Sequence, residues 1–230
     1  MRYYWGFDWT YLLVIVAFLL SLAVQANMNG TFQRFSRVRS MRGLTGAQTA
    51  ECILRSAGIF DVRVERVSGN LTDHYDPRTK VIKLSDPIYG SDSLAAVGVA
   101  AHECGHAIQD AREYGPLSMR TALVPAANIG SQLSWPLFLL GLILSARPLL
   151  TLGIILFCAA LLFQLVTLPV EFNASHRALQ ALKQNGILGQ QELPGARKVL
   201  RAAAMTYVAA VAASLLQLLR LILLARRSND

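Results

Sequence analysis

The chain has 230 residues, of which 53% are hydrophobic and 16% charged, with a mean hydropathy of +0.39; this balance excludes an ordinary soluble globular protein and points to one embedded in a bilayer. The net charge of +8 is no nucleic-acid signature, because no basic patch is interleaved with aromatic residues; anionic lipid and an excess of basic residues on one side of a membrane account for it. Three scattered cysteines, Cys52, Cys104 and Cys158, exclude a disulfide framework and a CxxC metal site.

Residues 9–26 are apolar over a length that spans hydrocarbon, with Tyr3, Tyr4, Trp5, Phe7, Trp9 and Tyr11 at the outer end, where interfacial aromatic residues belong. No basic segment, short apolar core and small-residue cleavage site occur in succession, so residues 1–26 read as an anchor and not as a removable signal. Arg34, Arg37, Arg39 and Arg42 follow at once, and 12 of the 22 Lys and Arg fall within residues 27–120. That bias places the segment in the cytoplasm.

Within it, Thr45-Gly46-Ala47-Gln48 is a capping box opening a helix that runs to about Ala57, with Gly58 as its stop. Residues 61–67 alternate apolar and charged side chains and read as a strand. Residues 71–75 and 80–84 flank Asp76-Pro77-Arg78-Thr79 and read as a hairpin, with 81–84 expected at the edge of a small sheet, where an extended peptide can add a strand.

Ser91 or Ser93 then caps a helix over residues 93–112 that carries His102-Glu103-Cys104-Gly105-His106. Four residues apart, the two histidines share one helix face, so both imidazoles can ligate one zinc ion while Glu103 reaches a water on it. The flanks, residues 94–101 and Ala107-Ile108, are almost wholly apolar. The helix is therefore buried, and its polar triplet is costly without a partner. A metal is the simplest partner. Gly105 leaves room for close approach of a second backbone or of a substrate, and Cys104 reads as a small apolar filler.

Farther on, residues 149–170 are the clearest span and 202–224 another. Residues 122–145 are a weaker one, interrupted by Pro125, Asn128, Gln132 and Pro136, which predicts a kink or partial burial against protein. Five more Lys and Arg lie in residues 171–201, so that segment joins residues 27–120 in the cytoplasm and four spans leave the N-terminus outside.

A catalytic zinc of this kind takes two histidines, one further protein ligand and an open position. Glu171, at the end of the clearest span and by parity on the histidines' side of the membrane, is the expected third ligand. Asp110, His176 and His74 are its rivals; Asp110 sits on the same rigid helix, where its short side chain does not easily fold back to the metal. For the oxyanion of peptide hydrolysis a donor beyond the metal is needed. His74, Tyr75, His176 and Arg177 are the candidates, with His74 and Arg177 favoured.

Three strings together resemble the YugP-type neutral zinc metallopeptidases of bacteria: His102-Glu103-Cys104-Gly105-His106-Ala107-Ile108-Gln109, residues 71–78, and residues 169–178 with Glu171, Asn173, Ala174, Ser175 and Arg177. The resemblance covers nearly the whole chain and implies a membrane-embedded zinc endopeptidase with His102, His106 and Glu171 as ligands. The order of elements is also distantly similar to the HtpX-type membrane proteases, whose E-x-x-A-D motif corresponds to residues 171–175. Here Ser175 stands in place of that aspartate, so the support of a ligand histidine falls to Asn173, Ser175 or a residue elsewhere.

The expectation is an α-helical integral membrane protein of the cell membrane, multi-pass with about four transmembrane helices, and with a small zincin-like α+β cytoplasmic part. Its organisation is an anchor (1–26), a cytoplasmic region with the metal helix (27–120), a membrane hairpin (121–170), a cytoplasmic helix with the third ligand (171–201) and a final membrane helix and tail (202–230). The expected activity is zinc-dependent hydrolysis of protein or peptide substrates with Glu103 as general base. An inactive zinc-bound scaffold and a small channel or transporter are the alternatives; Glu103, which binds no metal, argues against the first, and only Asn128, Gln132 and Gln164 support the second. The lipid bilayer is a partner, nucleic acid is not, and an oligomer or a regulatory membrane partner is compatible with the sequence.

Overall fold

The computed structural model describes residues 8–227; Tyr3, Tyr4, Trp5 and Phe7 of the expected aromatic belt lie outside them. In chain order the elements are helix α1 (Tyr11–Ser36), α2 (Gly46–Ser56), strands β1 (Arg63–Val67), β2 (His74–Asp76) and β3 (Val81–Ser85), and helices α3 (Asp86–Tyr89), α4 (Leu94–Ala111), α5 (Gly115–Ile143), α6 (Arg147–Gln184) and α7 (Leu193–Arg227). They divide into two compact units. One contains the described residues up to Val24, Arg120–Val166 and the chain from Tyr207 on; the other contains Gln25–Met119 and Thr167–Thr206.

The first unit is built from long apolar helices. Among the described residues four helices, α1, α5, α6 and α7, are long and apolar enough to cross a membrane. α5 runs without a break through Pro125 and Pro136, and 28% of its apolar window is covered by protein, against 17% for α6 and α7 and none for α1. The partial burial expected of this interrupted span is thus present. Close approach to α6 explains it: a Cβ on Gly153 would lie 2.9 Å from the backbone of Phe138, and one on Gly141 2.7 Å from Leu150. Small residues let helix backbones come close together.

In the second unit the local signals are realised. Thr45 accepts from the Gln48 backbone and Gln48 returns the bond to the Thr45 N–H, closing the capping box, while Gly58 takes φ +73° beyond the end of α2. Ser93 caps α4, accepting from the Ala96 N–H at 3.2 Å. Leu94–Val97, Ala100 and Ala101 are buried, and small residues again allow close packing: Gly98 of α4 faces Ala196 of α7. The core formed by α2, α4, the sheet and parts of α6 and α7 includes Ile53, Ile82, Leu84, Val97, Leu182 and Leu200.

The sheet order is β1-β3-β2, with β1 parallel and β2 antiparallel to β3. The hairpin is as expected, but its second strand is not an edge. β3 lies between the other two, and Val81, Ile82, Leu84 and Ser85 are all buried. A strand covered on both faces reads as a nearly continuous apolar run, as Val81-Ile82-Lys83-Leu84 does, whereas Arg63-Val64-Glu65-Arg66-Val67 is mostly charged and exposed and lies at an edge. With both sides of β3 hydrogen-bonded to strands, a peptide cannot pair there. The edges of the sheet are β1 and β2.

Candidate metal centre

Glu171 of α6 carries one corner of the site, and the middle of α4 carries the other two. His102 and His106 lie one turn apart on α4, and Glu171 of α6 faces both. Its Oε2 is 3.2 Å from His102 Nε2 and 3.7 Å from His106 Nε2. The three donor atoms lie within 4.8 Å of one another. Around a tetrahedral zinc with ligand bonds of about 2.0–2.1 Å, neighbouring donors are roughly 3.3 Å apart; Glu171 already stands near that spacing from each imidazole, and the set as a whole, within 4.8 Å, needs only a small inward movement to close on such an ion. His102 Nε2 and His106 Nε2 converge on one carboxylate oxygen, and Glu171 is only 4% exposed.

The charges fit as well. Glu103 is buried, at 7% exposure, and its carboxylate makes no hydrogen bond or ion pair among the described residues. Burial works against a charged His106, but its hydrogen bonds to the oxygens of Glu171 and Gln109 and the charges of Glu103 and Glu171 outweigh it and hold the imidazole above its ordinary value. Two carboxylates and two imidazoles in a water-poor site favour a cation.

Each imidazole is oriented through its second nitrogen. His102 Nδ1 lies 3.1 Å from Ser175 Oγ, and His106 Nδ1 lies 3.0 Å from Gln109 Oε1. With Nε2 turned to the site, the Nδ1–H donates in both cases, which fixes tautomer and ring orientation. Gln109, fully buried, spends its amide N–H groups on Val170 O at 2.8 Å and Asn173 Oδ1 at 3.0 Å. Gly105 permits all of this: a Cβ there would come within 2.9 Å of the Ala174 carbonyl carbon. Its glycine serves the approach of a second backbone, that of α6.

The family described as "Putative neutral zinc metallopeptidase" matches residues 10–226. This chain belongs to that family. The protein named "Putative membrane protease YugP" of Bacillus subtilis (strain 168) is 47% identical over 218 residues, which cover 95% of this chain and 97% of that protein. No solved structure matches the chain.

In this member of the family, Ser175 meets His102 at the position where the HtpX pattern has an aspartate. Gln109, on the metal helix itself, supports His106, a role that sequence reasoning missed. Its spacing of three from His106 was the available signal, since residues three apart share a helix face. Gln109→Leu is expected to leave His106 Nδ1 without its partner, to remove the amide's bonds to Val170 O and Asn173, and to weaken zinc binding by about 10- to 100-fold. Metal-buffered titration checks this.

Other candidates are placed elsewhere. His74 is exposed on β2, with Nδ1 2.7 Å from Thr72 O, and is not in the cluster; Tyr75, the next residue and so on the opposite face of the strand, points to α4. There its hydroxyl donates to Asp110 Oδ2 at 2.7 Å, and Lys80 Nζ lies 2.6 Å from the same oxygen. Asp110 thus ties the sheet to α4, and it raises the affinity of Lys80 for its proton through that hydrogen bond. His176 is exposed. Arg177 lies outside the cluster too: its Nε donates to Asn173 Oδ1 at 2.7 Å, and its guanidinium sits 5.8 Å from the centre of the Tyr114 ring.

Proposed function

We propose that this chain is a membrane-embedded zinc endopeptidase, with His102, His106 and Glu171 as metal ligands and Glu103 as general base. The observation that carries this reading is the convergence of two imidazoles and a carboxylate from separate helices beside a buried carboxylate that has no hydrogen-bond partner among the described residues. Zinc held there supplies a water acidic enough to ionise near neutral pH and a positive charge for the scissile carbonyl. Glu103 takes the proton released at the nucleophile and delivers it to the leaving amine. Ser175 and Gln109 keep the imidazoles from turning, and Asn173 with Arg177 holds Gln109. β2, an edge strand tied to α4 through Tyr75 and Asp110, offers unpaired backbone groups to an extended substrate.

Purified protein is expected to cleave an unfolded substrate such as casein, to stop when a chelator strips the metal, and to recover on zinc addition. Cleavage that persists without metal would overturn the assignment.

The helices α1, α5, α6 and α7 are the spans in this reading, and the excess of Lys and Arg in residues 27–120 and 171–201 puts the site in the cytoplasm. Met41, 86% exposed, and Gln190, also exposed, report on these two segments. Met41→Cys and Gln190→Cys, in a chain with serine at the three native cysteines, are expected to react with an impermeant thiol reagent only after the cytoplasmic face is opened. Labelling of either from outside the intact cell defeats the orientation.

A further inference from the structure

Behind the metal centre, a cavity of about 240 Å³ lies between α2, α4 and α6. Ile53, Ile108 and Ala181 form its buried apolar floor. Arg112, Arg177, Gln180 and Gln184 line it with polar groups, and no carboxylate is among its lining residues. Arg112, one residue beyond α4, makes no hydrogen bond or ion pair among the described residues. Arg177 spends its Nε on Asn173 and lies over the Tyr114 ring, and its terminal N–H groups make no hydrogen bond or ion pair among the described residues.

Two guanidinium groups on one small cavity repel each other unless an anion lies between them. Guanidinium donors match the oxygens of phosphate and carboxylate in paired hydrogen bonds. Geometry argues against the carboxylate of a bound peptide. Ile108 follows His106 by two residues and so points about 200° around α4 from it; the cavity opens away from the face that holds the metal ligands. For two cations, and with side-chain amides as further donors, a dianion is the better match. We propose that this cavity binds a phosphate monoester, either a soluble one or a lipid headgroup. The proposal rests on neither zinc nor peptidase activity.

Calorimetry on the full chain in phosphatidylcholine nanodiscs, with inorganic phosphate as probe, tests it. Saturable binding is expected, weakened about tenfold or more in Arg112→Gln, which removes paired charge-assisted bonds, and weakened likewise in Gln184→Glu, which sets a carboxylate at the rim. Both positions are exposed, so zinc content is expected to stay that of the native chain and to report intact folding. Nanodiscs containing phosphatidic acid separate the two sources: loss of phosphate binding there identifies the headgroup, and unchanged binding identifies a soluble ligand. No saturation in the millimolar range, or native affinity in both variants, overturns the proposal.

Discussion

Glu103→Gln is expected to keep zinc and to lose activity by about 10²- to 10⁴-fold, the usual contribution of a general base. The amide matches the carboxylate in size, and His102, His106 and Glu171 still present their donors. It cannot take up a proton from the nucleophile or hand one to the leaving amine. Removing a negative charge near the metal makes its water somewhat more acidic, a small gain beside the lost proton transfer. Zinc stoichiometry measured with casein cleavage, against native and chelated native protein, decides the matter. Native turnover in this variant would make Glu103 structural and would require a different base.

The second large effect is on the metal itself. Glu171→Ala is expected to lose zinc affinity by more than the roughly 10- to 100-fold that removal of an outer-shell partner costs, because no other described carboxylate, imidazole or thiol joins His102 and His106. Asp110→Ala and His176→Ala are expected to retain zinc. Asp110 is spent on Tyr75 and Lys80, so its loss weakens the tie between sheet and helix and not the metal. Metal analysis of the three purified variants distinguishes them, and full occupancy in Glu171→Ala would return the third ligand to one of its rivals.

What sequence alone determined is everything that one short segment dictates by itself. The capping box at Thr45, the Ser93 cap and the placement of His102 and His106 on one face follow from helix geometry within a few residues. The four apolar helices follow from composition over some twenty residues. Glu171 was legible through its place after an apolar stretch, although its meeting with the histidines depends on the packing of α6 on α4.

Tertiary structure alone decided which neighbours these segments meet. A hairpin pattern does not say on which side a third strand adds; burial of both faces of β3 put it in the centre, and only its nearly unbroken apolar run hinted at this. Arg177 follows Glu171 by six residues, which on a helix turns it about 240° from the metal face, and its bond to Asn173, four residues back on the same helix, keeps it there. The pairing of α4 with α6 at Gly105 and Ala174 made Ser175 and Gln109 the supports of the two imidazoles. The reason is physical: helix faces and caps are set by bonds within a few residues, whereas partners across helices are set by which backbones can approach, and at the site the contact of Gly105 with Ala174 settled that.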